Sequence, residues 1–208
     1  MNDDVSTLTE WIADSPSTVF FGGAGVSTES GIPDFRGANG FYFQEREIPL
    51  ETVLSIDFFT LHPEAYWEWF HEIYRPVEPN GAHRALASLE AAGRLDAVIT
   101  QNIDGLHQRA GSRAVWELHG NWERLVCTSC GAVTSLGDAV TVDGDPVPAC
   151  PSCGGQMRPD IVMYGESLDQ GVIEAAVSAI ARASTLIVAG TSLVVYPAAG
   201  LINYFSGD

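Results

Sequence analysis

The sequence predicts an α/β fold, in which a parallel sheet is covered by helices on both faces and carries a small inserted cysteine-rich module. Short apolar, β-prone runs alternate with helical segments along the 208-residue chain, and two of these runs end in glycine. A segment that contains all four cysteines interrupts the alternation once. Strands that alternate with helices are typical of parallel sheets, because a crossover helix returns the chain to the start of the next strand.

The elements follow in order along the chain. Residues 18–21 form an apolar run that enters a glycine-rich turn, as a buried strand does. Residues 168–183 place apolar side chains at helical spacing, and 85–92 read as a helix closed by Gly93. Further strands are predicted at 95–100, 114–118 and 184–189, with a short extended piece at 161–164.

These elements predict how the domains are arranged. We expect a Rossmann-like domain made of residues 1–120 and 160–208, with the cysteine module at 121–159 inserted between its two parts. An aromatic-rich segment at about 37–79 is predicted to be a partly helical excursion from the same domain.

The four cysteines form two pairs, Cys127-x-x-Cys130 and Cys150-x-x-Cys153, with 19 residues between the pairs. This spacing is typical of a zinc ribbon, in which four thiolates close a tetrahedral shell. A closed shell leaves no position for water, so the metal is predicted to be structural. Two disulfides or a redox Cys-x-x-Cys are the alternatives.

The composition bounds the partners. The net charge is −17, and all ten basic residues are arginine. Such a surface repels nucleic acid and attracts basic partners, including lysine-rich tails. No apolar run is long enough to span a bilayer, and the N-terminus is acidic, unlike that of a secretory signal. We therefore expect a cytoplasmic protein that binds neither nucleic acid nor membrane.

The first predicted strand runs into the glycine-rich segment 22–25. Glycines allow the main chain to approach a pyrophosphate closely, which suggests nucleotide binding. The dinucleotide fingerprint has a third glycine where this chain has Thr28, so a plain glycine turn is an equally good interpretation of this segment alone.

Polar residues follow two further strands, at 100–104 and at His119. Ligands bind beyond the carboxyl ends of parallel strands, so these groups are expected to meet in one crevice. His119 is the candidate general base, because imidazole titrates near neutral pH. The other histidines, His62, His71, His83 and His107, are interpreted as structural.

Together these motifs resemble the sirtuins, the NAD-dependent protein-lysine deacylases of bacterial or archaeal type. The matching segments occur in the family's order and cover essentially the whole chain: GAGVS at 23–27, GIPDFR at 31–36, TQNID at 100–104, HG at 119–120, the four cysteines, RPDIVMYGE at 158–166 and GTSLVVYPAA at 190–199.

The resemblance implies a set of roles. His119 would be the catalytic base that takes a proton from the ribose hydroxyls, and zinc would be held by Cys127, Cys130, Cys150 and Cys153. Two edges would clamp the substrate peptide as an added strand: Val162, Tyr164 and Gly165 on one side, and Leu193, Val194 and Val195 on the other. The NAD-binding residues would be Gly23, Ala24, Gly25, Ser27, Phe35, Arg36, Gln101, Asn102, Ile103, Asp104, Gly190, Thr191 and Ser192.

The activity that the resemblance implies is deacetylation of lysine in proteins or peptides, with transfer of the acetyl group to ADP-ribose and release of nicotinamide. Two alternatives use the same residues: ADP-ribosylation of a protein, and a truncated, non-catalytic module that binds acylated peptides.

Two departures from the family qualify this prediction. Relatives that accept succinyl groups carry Tyr-x-x-Arg where this chain has Trp67 to Phe70, without an arginine, so neutral acyl groups are expected. The family pattern continues past Asp208 through a strand and a loop over the adenine, so a shortened adenine pocket and an exposed sheet edge are also expected.

Overall fold

The computed structural model describes residues 3–37, 40, 47–139 and 145–207. Part of the predicted aromatic-rich excursion and part of the predicted cysteine module lie outside these ranges. Across the described part of the chain, every helix is too short or too polar to cross a bilayer.

The larger sheet is parallel and has four strands: β1 (Thr18–Gly22), β2 (Ala97–Thr100), β3 (Val115–Glu117) and β7 (Thr185–Ala189). Their order across the sheet is β3-β2-β1-β7. The chain therefore moves outward from β1 through β2 to β3 and later returns to the other side of β1. This reversal creates a topological switch point between β1 and β7, and open α/β sheets bind ligands at such a point.

A second sheet, antiparallel and three-stranded in the order β5-β4-β6, contains β4 (Gly120–Cys127), β5 (Val133–Ser135) and β6 (Met157–Ile161). The helices are α1 (Asp3–Asp14), α2 (Leu50–Val53), α3 (Ile56–Leu61), α4 (Pro63–Ile73), α5 (Gly81–Ala91), α6 (Leu106–Ala110) and α7 (Gln170–Arg182), with 3₁₀ turns at Ala24–Ser30, Leu136–Asp138 and Ala198–Tyr204.

Helices cover both faces of the parallel sheet, as predicted. Alternation along β1 sends Val19 and Phe21 to one face and Phe20 to the other. The first face packs against Ile180 of α7 and the 3₁₀ turn that follows β7. The opposite face packs against Leu86 of α5. The sheet is therefore buried between two layers, which explains why its strands read as continuous apolar runs.

A separate core joins the aromatic-rich helices to the antiparallel sheet. Trp67 and Phe70 of α4 pack with Trp122 and Leu125 of β4 and Met157 of β6, and all are buried. The rings of Phe70 and Trp122 meet edge to face at 6.4 Å between centroids. The excursion and the cysteine-bearing strands thus share one apolar interior; the domain boundaries given above remain a proposal.

Most predicted elements match within two residues at each end, and two differ by more. Helix α5 begins at Gly81, four residues early, because the side chain of Asn80 accepts from the N–H groups of Ala82 and His83 and caps the helix there. The extended piece predicted at 161–164 is instead the end of β6, which finishes at Ile161, followed by an isolated bridge between Tyr164 and Ser55.

Candidate active site

The loops that follow β1 and β7 touch at the switch point. The N–H of Gly25 donates to the C=O of Gly190 at 2.8 Å. A Cβ atom on Gly25 would lie 2.8 Å from Gly190 Cα, and one on Gly190 would lie 2.5 Å from the nitrogen of Val26. Gly190 also has φ +65, in the left-handed region. Glycine is required at both positions because any side chain would separate the two loops.

Ser27 joins the loop after β1 to the loop after β2. Its hydroxyl donates to Asp104 at 2.6 Å and accepts from the side-chain amide of Asn102 at 3.0 Å. All three side chains are buried. The other carboxylate oxygen of Asp104 accepts from the N–H of Leu106 at 3.0 Å. The carboxylate is therefore fixed at the start of α6.

A buried histidine pair lies behind this network. Nε2 of His83 is 3.5 Å from the hydroxyl of Ser27, and the rings of His83 and His107 meet edge to face at 4.7 Å. Burial lowers the pKa of His83 despite the nearby charge of Asp104. We had assigned His83 a structural role; its contact with Ser27 places it next to the candidate site. Asn80, which caps α5, marks where this helix begins, but no pattern in the sequence places His83 beside Ser27, 56 residues away.

Gln101 connects three strand ends. Its side-chain oxygen accepts from the hydroxyl of Thr191 at 3.0 Å, and its main-chain oxygen lies 2.9 Å from Nδ1 of His119. Its side-chain nitrogen is buried and has no partner among the described residues. A buried amide donor of this kind needs an acceptor, which a bound ligand can supply.

His119 is held in one tautomer. A carbonyl oxygen only accepts, so Nδ1 carries the proton toward Gln101 and Nε2 keeps its lone pair in the neutral ring. Burial lowers the pKa of His119, and this effect outweighs the opposing effect of the hydrogen bond to Gln101. The imidazole is therefore neutral near pH 7 and able to accept a proton at Nε2.

The remaining predicted cofactor residues lie on the segments that follow β1, β2 and β7. Ala24 opens the 3₁₀ turn after β1, and Ile103 accepts from the N–H of Trp122 at 2.9 Å. Phe35, half-buried, and Arg36, exposed, lie in the bend after that turn, whereas Ser192 is exposed after Thr191. The structure brings the predicted residues after β1, β2, β3 and β7 into two hydrogen-bonded groups that meet at the adjacent residues Gln101 and Asn102. One group contains Ser27, Asn102 and Asp104, and the other contains Gln101, His119 and Thr191.

The first predicted clamp edge runs alongside the base. The N–H of Val162 donates to the C=O of His119 at 2.9 Å. Tyr164 differs from a free strand edge, because its N–H donates to Leu54 and its C=O accepts from Ile56. Its main-chain N–H is thus committed to the α2–α3 connection, while its side chain is 42% exposed. A strand added at this edge, as predicted, would have to pair with main-chain groups other than these two.

The second predicted clamp edge follows Thr191. The N–H of Leu193 donates to the hydroxyl of Thr191 at 3.2 Å, and Leu193 has φ +53, an uncommon conformation for a non-glycine residue. Val194 is 52% exposed and Val195 is half-buried. Thr191 also donates to Gln101, whose main-chain oxygen lies next to His119. Both edges are therefore connected to His119 by hydrogen bonds.

The four cysteines converge at one end of the antiparallel sheet. Their sulfurs all lie within 4.8 Å of one another, with 3.6 Å between Cys127 and Cys153 and 3.8 Å between Cys130 and Cys150. A disulfide needs about 2.05 Å. Tetrahedral zinc with Zn–S bonds of about 2.3 Å puts its sulfurs roughly 3.8 Å apart, so the geometry fits zinc and not a disulfide.

Each cysteine pair is a matching turn. The N–H of Gly131 donates to the C=O of Cys127, and that of Gly154 to the C=O of Cys150, with φ +72 and +73 at the two glycines. Main-chain N–H groups of residues 129, 152 and 155 also point at cysteine sulfurs at 3.4 Å. Such donors stabilise thiolates, the form that binds metal.

The family model for the Sir2 family matches residues 23–197. The "NAD-dependent protein deacetylase" of Clostridium acetobutylicum is 50% identical over 210 residues, which cover 99% of this chain and 85% of that protein. The protein of the same name from Thermotoga maritima is 47% identical over 192 residues, covering 90% of this chain and 76% of the relative.

Solved structures agree with this match. The structure described as "Sir2-p53 peptide-NAD+" superimposes with a TM-score of 0.85 at 44% identity, covering 96% of this chain and 81% of that one. "Structure of Sir2Tm bound to a propionylated peptide" gives a TM-score of 0.84 at 42% identity, covering 98% and 81%. Identity at this level supports similarity in the site as well as the fold.

Proposed function

This chain belongs to the Sir2 family, and from that premise we propose that it is an NAD-dependent protein-lysine deacetylase. With water as co-reactant, it transfers the acetyl group from lysine to the ADP-ribose part of NAD and releases free lysine, nicotinamide and O-acetyl-ADP-ribose. One observation carries the proposal most directly. His119 lies at the carboxyl edge of the sheet, with Nδ1 fixed by Gln101 and Nε2 left as a base.

A dinucleotide fits the crevice on two counts. Gly23, Gly25 and Gly190 let the main chains of two loops form one surface without side chains, as phosphate-binding loops require. The buried, unpartnered amide nitrogen of Gln101 is a donor for a ribose hydroxyl. We propose that Ser27, Asn102 and Asp104 hold the nicotinamide end and that the thirteen residues named above form the NAD site.

The chain's own residues then perform three tasks. When bound, NAD would supply a sugar carbon to which the acyl oxygen bonds as the bond to nicotinamide breaks. His119 accepts a proton from a ribose hydroxyl at Nε2, and Gln101 holds the ring in the orientation for that transfer. The two clamp edges, at 162–165 and 193–195, hold the acylated peptide by its main chain, so few sequences are excluded. Phe35, half-buried in the bend after the 3₁₀ turn, would shield the reacting carbon from water.

The acidic surface suits this substrate. With a net charge of −17, the chain attracts lysine-rich segments and so favours encounters with basic tails. Its lysine-free sequence means that it has no side chain of its own to deacetylate. Zinc is proposed to hold the antiparallel sheet together without taking part in the reaction. The cytoplasmic location predicted from sequence belongs to the same proposal.

The test is a mass measurement. The purified chain is incubated with an acetyl-lysine peptide, with and without NAD. We expect loss of the acetyl mass only with NAD, together with O-acetyl-ADP-ribose and nicotinamide. ADP-ribose attached to protein would identify a transferase of another class, and peptide binding without nicotinamide release would identify a binding module.

Two variants make the test specific. His119→Ala should lower the yield of product by about 10²- to 10⁴-fold while leaving the zinc content at one per chain. His71→Ala, a change at an exposed histidine on α4, should behave as the unmodified chain does. Equal activity of the unmodified chain and His119→Ala would refute the proposed role of His119.

A further inference from the structure

Arg158 lies on β6, next to the cysteine-bearing end of the antiparallel sheet. In the register of β4 and β6 it pairs with Val126, one step from the pair formed by Cys127 and Met157. The position of Arg158 is thus set by a strand whose partner ends in a proposed zinc ligand. Nothing in the proposed reaction uses this arginine directly.

The guanidinium of Arg158 forms a bidentate pair with Glu166. Its two terminal nitrogens donate to the two carboxylate oxygens at 2.7 and 2.6 Å, and one of them also donates to the C=O of Ile161 at 2.8 Å. The side chains are 18% and 26% exposed, so solvent screens the pair only partly. Burial opposes ionisation of Glu166, but the bonds from Arg158 and Met163 outweigh it and keep the pKa of the carboxyl below its usual value.

Glu166 passes this constraint to the main chain. Its carboxylate accepts from the N–H of Met163 at 2.9 Å, while its own N–H donates to the C=O of Met163 at 3.0 Å. Between them Gly165 has φ +94. The segment 163–166 is therefore a closed turn whose shape depends on the carboxylate, and it contains two of the three residues of the first clamp edge, Tyr164 and Gly165.

Arg158 is held from the opposite side as well. Its guanidinium carbon lies 5.8 Å from the centroid of the Phe59 ring, and Phe59 meets Tyr66 edge to face at 5.1 Å. Both rings belong to the core shared by the helices and the antiparallel sheet. The arginine therefore joins that core to the clamp turn.

We propose that Arg158 is a positioning residue for the substrate clamp: from the cysteine-bearing sheet it holds Glu166, and through Glu166 the turn at 163–166, so that it sets affinity for the acylated peptide. This inference rests on the proposed deacetylase function. It predicts that the antiparallel sheet tunes peptide binding, whereas the NAD crevice, built from the other sheet, is independent of Arg158.

The test separates the two substrates. Arg158→Met removes the guanidinium group that pairs with Glu166 and keeps an aliphatic side chain next to Phe59. We expect the KM for an acetyl-lysine peptide to rise about 10-fold, with kcat and the KM for NAD changed less than about 2-fold. Glu166→Gln, which is nearly isosteric, should raise the peptide KM by about 3-fold. Because both substitutions remove the same contact, the peptide KM of the double variant should lie within about 2-fold of that of Arg158→Met.

Arg124→Met is the matched control. Arg124 lies on β4 of the same sheet and pairs with Glu117 and Asp160, but it is 45% exposed. Its loss should leave both KM values unchanged. Zinc content and the melting temperature are measured for every variant, and the direct affinity for a fluorescent acetyl-lysine peptide is measured by anisotropy.

Two results would overturn the inference. One is an unchanged peptide KM in folded Arg158→Met; the other is an equal rise in the KM values for peptide and NAD, which indicates general distortion. If Arg158→Met does not fold, Glu166→Gln decides, and an unchanged peptide KM in that variant rejects the inference. If the unmodified chain has no deacetylase activity, both the proposed function and this inference are rejected. If the unmodified chain is active but the variants keep its peptide KM, only the inference is rejected.

Discussion

The hydroxyl of Ser27 donates to the carboxylate of Asp104 across 2.6 Å and so ties the loop after β1 to the loop after β2. Ser27→Ala would leave the amide of Asn102 and one oxygen of Asp104 without this partner in a buried site. The loss of a hydrogen bond to a charged group is worth about 1.5–3 kcal/mol. We therefore expect the KM for NAD to rise at least about 10-fold, measured by nicotinamide release at saturating peptide.

The control for this variant is Thr9→Ala, which removes an exposed hydroxyl from α1 that bonds only locally to the C=O of Val5. Its NAD affinity should equal that of the unmodified chain. A Ser27→Ala protein that keeps the unmodified KM for NAD would show that the Ser27–Asp104 bond holds the fold alone.

The pH profile should report His119. Burial lowers the pKa of this histidine, so the ring stays neutral down to pH values below its ordinary 6.5. We expect kcat/KM to be flat from pH 8 to about 6.5 and to fall only at lower pH, as Nε2 becomes protonated. An acid limb centred above about pH 7 would contradict this assignment. His119→Ala should lose about 10²- to 10⁴-fold in kcat while the affinity for NAD is retained.

The acyl preference should follow the aromatic core. Trp67 and Phe70, the positions where the sequence predicts that the Tyr-x-x-Arg motif is replaced, are both 1% exposed or less and pack among rings. Arg158 is already paired with Glu166, and Arg75 bonds main-chain oxygens of His71 and Tyr74. A negatively charged acyl group would be desolvated without a partner arginine at this position.

We expect an acetyl-lysine peptide to turn over at least about 10-fold faster than the same peptide carrying a succinyl group. Competing the two peptides in one reaction and measuring both product masses gives the ratio directly. A propionyl peptide, which is neutral, serves as the control for size. Faster loss of succinyl than of acetyl would show that another cation serves the acyl site.

The strands of the parallel sheet could be predicted from sequence because their signal is local. β1 and β2 are apolar and β-branched on both faces, and each is followed by polar or glycine residues. The cysteine site was predictable for the same reason, since four ligands in two short turns need no knowledge of the rest of the fold.

Other features depend on residues far apart in the chain. The packing of Phe70 on Trp122 spans 52 residues, and no periodicity reveals it. His83 lies 56 residues from Ser27, so its place beside the site follows only from the way α5 covers the sheet. Helix starts were missed by a few residues where a side-chain cap, such as Asn80, sets the boundary.

Metal removal should unfold the antiparallel sheet. Cys127 and Cys150 are buried, whereas Cys130 and Cys153 are exposed. Loss of zinc would leave these four sulfurs side by side without the metal that holds them together. We expect one zinc per chain, and we expect strong chelation to abolish deacetylation with loss of near-UV circular dichroism. Cys153→Ser removes one of the four thiolate ligands and should therefore weaken zinc binding. A metal-free sample with full activity would refute the structural role.

The buried histidine pair should make stability depend on pH. Both ring nitrogens of His107 lack a partner among the described residues, and burial, with a smaller contribution from His83, lowers its pKa to about 3. In the unfolded chain the pKa returns to about 6.5, so below that pH the unfolded state binds the additional proton and stability falls. At pH 5 this amounts to about 2 kcal/mol relative to pH 7.5.

His107→Leu should remove this dependence. The substitution replaces a desolvated polar ring by an apolar side chain beside Phe20. We expect the variant to be at least as stable as the unmodified chain at pH 7.5, and the difference between them to grow by about 2 kcal/mol at pH 5. Urea unfolding at the two pH values measures it, with the exposed His71→Leu as control. A stability difference that is the same at both pH values would mean that His107 takes up a proton in the folded protein at pH 5 as readily as in the unfolded chain.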